Sequence, residues 1–152
     1  NADTEAAKMI KKTENIIIRT ICRLLIPAIQ LFGLYVIAHG HGSPGGGFQA
    51  GVIIAAAIIF YALIYGVETA RQAMPDWIVE TMLASGVLIY AGVGLAGLVL
   101  GGNYLDYFVL DHDPVHGQQR GIFWVEAGVA VTVSGVMLKI FYMFASRGSD
   151  PE

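Results

Sequence analysis

Residues 24–67 read LLIPAIQLFGLYVIAHGHGSPGGGFQAGVIIAAAIIFYALIYGV, and no Asp, Glu, Lys or Arg interrupts them. Two apolar runs flank a short stretch of glycine, histidine, serine and proline. About 20 mostly apolar residues, rising 1.5 Å each, cross a hydrocarbon core of about 30 Å. Lipid offers no water to backbone N–H and C=O groups, so such runs must be helices. The segment therefore reads as two membrane spans joined by a tight turn at His39–Gly47. A membrane barrel would instead show strands of about ten residues with alternating polarity, and these runs do not alternate.

The rest of the chain follows the same pattern. No charged residue lies between Glu80 and Asp106, and a fourth apolar run follows Gly121. Four spans are predicted at about 15–38, 48–67, 78–101 and 121–145. A basic segment, 1–14, precedes them and a short tail, 146–152, follows. The fold class is all-α integral membrane. Of the 152 residues only 14% are charged and 55% are hydrophobic, too little charge to cover a soluble domain of this size. The net charge of −3 gives no basic field for nucleic acid. The first apolar run is too long for a cleavable signal peptide. The lone cysteine, Cys22, sits in an apolar helical context and reads as packing.

Orientation follows from the basic residues. With four spans, the N-terminus, the second connection and the C-terminus share one side. That side carries Lys8, Lys11, Lys12, Arg19, Arg23, Arg71, Lys139 and Arg147, whereas the other carries Arg120 alone. Both termini are thus expected to be cytoplasmic, with the His39–Gly47 turn and the Gly102–Arg120 segment outside. That segment is expected either to lie along the surface or to dock on a neighbour. Trp77 and Trp124 are expected near the headgroups.

Lys8, Lys12, Arg19 and Arg23 fall close to one helical face. Two readings stand for the arginines: snorkelling to lipid headgroups, or pairing with a carboxylate or carbonyl of a neighbouring subunit. Pro27 removes the donor to the Arg23 carbonyl and predicts a kink. Gln30, one turn deeper, also needs a polar partner. Arg19, Arg23 and Gln30 are therefore candidate subunit or lipid contacts.

Within the turn, Ser43 is a good N-cap and Pro44 suits the first helical position. The second span is thus expected to start at Ser43–Pro44, with Gly45, Gly46 and Gly47 filling its first turn. Each glycine in a helix costs roughly 1 kcal/mol against alanine, so their use lies in close approach. Gly47, Gly51 and Ala55 continue a smooth face at spacing four, the small-xxx-small pattern of membrane helix contacts. A phosphate loop is excluded: no Gly-Lys-Ser/Thr follows and no strand precedes. His39, His41, His112 and His116 all fall on the outer side. They raise a metal- or haem-binding reading, which Pro114 and the lack of a supporting cysteine weigh against. No cofactor, metal or catalytic site is assigned.

Glu126 lies five residues past Gly121, inside the fourth run. Acids on membrane helices are costly and usually face protein or water, which makes Glu126 a candidate for an ion or proton path. The competing reading is an interfacial acid tied to Trp124 or Arg120. One acid in a short bundle is sparse for a self-contained transporter.

The stretch HGHGSPGGGFQAG resembles the hallmark of the MnhB/MrpB family, the B subunits of Mrp-type multisubunit cation/proton antiporters. A related domain occurs in membrane-bound hydrogenases and similar redox complexes. The family pattern H-G-H-x-S-P-G-G-G-F is matched by His39, Gly40, His41, Ser43, Pro44, Gly45, Gly46, Gly47 and Phe48. The family's fourth span carries an acid, commonly Asp, in a segment similar to FDIGVYLVV. Here the matching stretch is WVEAGVAVT, with Glu126 at the acid's position. The resemblance implies an auxiliary membrane subunit, with other antiporter subunits as partners and Na⁺ and H⁺ moved mainly by larger ones. It equally admits an ion-translocating subunit of a hydrogenase-like oxidoreductase complex.

Overall fold

The computed structural model describes residues 2–40, 45–110 and 113–147. It is all-helical over them. Helix α1 spans Ala2–Ala38, α2 Gly47–Tyr65, α3 Val67–Ala73, α4 Asp76–Val99 and α5 Pro114–Arg147, with a short 3-10 helix at Tyr107–Leu110. Four stretches are long and apolar enough to cross a membrane: Ile16–Ala38, Gly47–Tyr65, Asp76–Val99 and Val115–Ser146. The chain is a multi-pass membrane protein.

Several boundaries differ from the sequence expectation, each for a local reason. Residues 2–14 are helical and continuous with the first span, and α1 runs unbroken through Pro27. Ser43 and Pro44, the expected start of the second span, lie outside the described residues, and α2 begins at Gly47. Gly45 and Gly46 stand before the helix, and Gly46 is its N-cap with φ 137°. That left-handed backbone cannot continue into a helical turn, so only Gly47 of the three glycines is helical. The end of the same span breaks at Gly66, φ 97°. Beyond it the charged segment VETARQA forms the separate helix α3 instead of a loop. Helix α5 starts seven residues before Gly121, because Pro114 suits a first helical position and the Asp113 carboxylate accepts from the Val115 N–H at 3.0 Å.

The spanning helices stand in the order α1–α2–α5–α4, with α2 and α5 central. α2 and α5 run parallel, and Gly47 and Gly51 face Glu126 and Ala130. A Cβ on Gly51 would stand 2.7 Å from the Ala130 carbonyl oxygen. α4 runs antiparallel to α5, with Gly86 against Gly128: a Cβ on Gly128 would lie 2.9 Å from the Gly86 carbonyl oxygen. These contacts bring backbones together, which is how helices associate where lipid is as apolar as leucine. The buried core is accordingly mostly alanine, with Cys22, Val36, Val79, Leu138 and Tyr142. Large apolar side chains point outward instead, Leu24 at 76% exposure and Val99 at 86%, as expected for a surface covered by lipid or neighbours.

The segment after α4 folds back on its own bundle. The Tyr104 ring covers Gly94 and the Tyr107 ring covers Gly121, both places where a Cβ would leave no room. Trp77 and Trp124 are exposed at 67% and 54%. Trp124 does not stand near a helix end, since α5 begins ten residues earlier.

Candidate functional site

The parallel register of α2 and α5 brings together two features that are far apart in sequence. Glu126 projects from α5 onto the glycine stretch. A Cβ at Gly40 would fall on its carboxylate, and one at Gly46 would stand 3.0 Å from Oε1. The backbone of Gly47 meets the Glu126 backbone so closely that a Cβ there would lie 2.7 Å from the carbonyl carbon. Gly40 and Gly46 thus form a socket for the carboxyl group, and Oε2 is buried in it.

The socket borders a cavity of about 560 Å³, lined by Gly45, Gly46, Gly47, Phe48, Gln49, Glu126 and Val129. It lies at the N-terminal end of α2, where unpaired backbone N–H groups favour negative charge. The Glu126 carboxyl is therefore enclosed by the backbone of the glycine stretch. Gln49 is a site residue that sequence reasoning does not single out: its Oε1 would meet a Cβ on Gly45 at 3.3 Å, so it shares the cavity wall. The available signal is an amide side chain in the first turn of an otherwise apolar helix. Phe48 is exposed at 67% beside it.

The family model described as a domain related to the MnhB subunit of Na⁺/H⁺ antiporter matches residues 17–139. The chain belongs to the MnhB family. It is 30% identical to the B subunit of the Na⁺/H⁺ antiporter of Alkalihalophilus pseudofirmus, over 80% of this chain and 91% of the relative. It is 29% identical to the corresponding B subunit of the Na⁺/H⁺ antiporter of Bacillus subtilis, over 81% and 92%.

In this MnhB-family chain the remaining candidate residues scatter around that site. Below Glu126 on the same face of α5, Ser134 is buried and its hydroxyl lies 2.9 Å from the Gly51 carbonyl and 2.8 Å from that of Ala130. This ties α5 to α2 one step deeper. His39 stacks on Tyr35, ring centroids 4.1 Å apart, with Nδ1 3.2 Å from the Tyr35 carbonyl. His116 pairs with Asp113 at 2.8 Å. His41 and His112 lie outside the described residues, as do Ser43 and Pro44. No cluster of three or more metal-ligating side chains occurs among the described residues.

At the opposite end of the bundle, α3 is clasped to α5. Arg71 donates to the Tyr142 carbonyl at 3.2 Å and to Ser146 Oγ at 2.6 Å, with its guanidinium 5.2 Å from the Tyr142 ring centroid. The Tyr142 hydroxyl donates in turn to the Met74 carbonyl at 3.1 Å. Lys139 pairs with Glu80 at 2.7 Å. On α1, Gln30 is half-buried and makes no hydrogen bond among the described residues. Arg19 and Arg23 lie beside the end of α2 and do not approach Glu126.

Proposed function

We propose that this chain is an auxiliary membrane subunit of a multisubunit monovalent cation/proton antiporter. It works beside other membrane subunits as part of a transporter and is not itself an enzyme. In this reading it crosses the cell membrane of a prokaryote four times, with both termini cytoplasmic. Na⁺ and H⁺ are the ions exchanged. The chain holds its neighbours through broad apolar faces and contributes Glu126 to the ion or proton path.

The observation that carries this reading is the seating of the Glu126 carboxyl in the Gly40–Gly46 socket, at the wall of a cavity. A carboxylate on a membrane helix is costly unless protein or water receives it. Glycines leave room for the group, and the first turn of α2 offers it an electropositive end. Gly40, Gly46, Gly47 and the acid then act as one unit. A carboxyl held in this way can take up and release a proton, or attract a cation, at a fixed place. No second acid stands at similar depth in the described spans, so the remaining groups of a path must come from other subunits. The antiporter names of the two relatives support the same assignment.

The test is Glu126→Gln in the assembled complex, with Glu126→Asp beside it and complex yield measured for both. Gln keeps the shape and removes the charge, so exchange should fall and its pH dependence change while assembly persists. Asp should retain part of the activity. Wild-type exchange with an unchanged pH profile in Glu126→Gln would take Glu126 out of the path.

A further inference from the structure

Arg23 lies in the first membrane span, seven residues beyond Ile16 where the apolar stretch begins. Along a helix that is about 10 Å. Among the described residues no carboxylate or carbonyl engages its guanidinium. It lines a cavity of about 300 Å³ between α1 and α2, together with Ile26, Pro27, Tyr61 and Tyr65.

Arg19 stands one turn earlier, its guanidinium 5.7 Å from the Tyr65 ring centroid. Tyr61 and Tyr65 stack with centroids 4.7 Å apart, and the Tyr65 hydroxyl donates to the Arg19 carbonyl at 3.0 Å. That bond pins the end of α2 to α1 beside the cleft. The sequence offers no acid between Arg23 and Glu68. Arg23 thus lines the cleft with Arg19 beside it on the Tyr65 ring, and no acid is among the lining residues.

A guanidinium near the start of a membrane span needs an anion or water beside it. Its planar fork matches phosphate bidentately. The surface around the cleft is apolar and turned outward, with Leu24 at 76% and Leu63 at 68% exposure, which suits the acyl chains of a lipid whose phosphate meets the arginine. Tyrosines favour the headgroup level, the same level at which the two arginines enter the span.

We propose that the α1/α2 cleft binds the phosphate of an anionic phospholipid. The phosphate sits between Arg19 and Arg23. The glycerol end of the lipid lies against Ile26, Pro27 and Tyr61. A net-anionic lipid is preferred because a zwitterionic headgroup would bring its own cation towards the second arginine. This goes beyond the antiporter assignment and does not depend on it.

The test uses the full chain, within its complex, in mild detergent. Short-chain phosphatidylglycerol is titrated in, with short-chain phosphatidylcholine as control, and thermal unfolding is followed by dye labelling of the buried Cys22. Phosphatidylglycerol should raise the melting temperature of the wild type, and phosphatidylcholine should do so far less. Arg19→Gln and Arg23→Gln should each weaken phosphatidylglycerol by about fivefold, and the double variant by about thirtyfold. Arg23→Lys keeps a charge in place and should fall between wild type and Arg23→Gln. Equal responses to the two lipids, or equal affinity in wild type and the double variant, would overturn the proposal. So would loss of a partner subunit from the variants with lipid affinity unchanged, which would point to a neighbour's carboxylate in the cleft.

Discussion

Replacing Gly47 with alanine would place one methyl group against the backbone of α5. The new Cβ would lie 2.7 Å from the carbonyl carbon of Glu126 and 2.8 Å from its Cα. Ordinary contact between carbons needs about 3.5–4.0 Å. The obstacle is backbone, so no side chain can rotate away, and α2 and α5 must part by roughly 1 Å. Overpacking of this kind costs about 1–3 kcal/mol. Gly92→Ala is the matched control, because nothing lies within 4 Å of its added Cβ. There the better helix propensity of alanine should stabilise by up to about 1 kcal/mol. One kcal/mol corresponds to roughly 2–4 °C in a chain of this size. Gly47→Ala should therefore melt roughly 2–12 °C below the wild type, and Gly92→Ala at or slightly above it. Cys22 is the only cysteine and is 2% exposed, so a thiol-reactive dye reads unfolding of the full chain in detergent. The variant should also lower exchange in the complex, since the displaced backbone belongs to Glu126. A Gly47→Ala protein that melts with or above Gly92→Ala would refute the close contact of α2 and α5.

Other outcomes are expected at separate places. Ser134→Ala should lower the melting temperature only slightly, because interhelical hydrogen bonds in membranes average about 0.6 kcal/mol. Arg71→Met should cost about 1.5–3 kcal/mol by removing charged hydrogen bonds to the Tyr142 carbonyl and Ser146, read in the same dye assay. The Asp113 carboxyl is held below its ordinary value of 3.8 by the Val115 N–H and then by His116. Its support for the start of α5 is present above that value and is lost as pH falls through the lower folded one. Hydrogen exchange at Gly117 should thus accelerate in acid in the wild type and be independent of pH in this range, apart from intrinsic exchange, in Asp113→Asn. For the proposed orientation, Asn103→Cys in a Cys22→Ser background should react with an impermeant maleimide from outside intact cells. Labelling only after the cells are opened would reverse the topology.

The spans are legible in the sequence because charge is so costly in hydrocarbon that its absence marks them. Their ends are less legible. Gly66 reads as an ordinary apolar-run residue, yet its φ of 97° stops α2 and lets VETARQA form α3. Ser43–Pro44 is a strong local start signal, but the left-handed Gly46 places the helix start at Gly47. Pro114 reads as an interruption between two histidines, whereas it opens α5. Both pieces of the candidate site, the glycine stretch and Glu126, are visible as separate anomalies. Gln49 is not, because one amide near an apolar helix end carries little signal.

The order of residues alone determines that this chain lies in a membrane as four helices, because backbone polar groups in lipid must pair within their own helix. It also determines family membership, through a stretch of glycines and histidines too specific to be chance packing. It does not determine which helix stands beside which. The second, third and fourth spans carry no continuous polar stripe, and the basic stripe of the first does not say which helix packs beside it. Only the tertiary structure seats α2 beside α5, through the backbone contacts that Gly47 and Gly51 permit, and so turns a distant acid and a glycine stretch into one site.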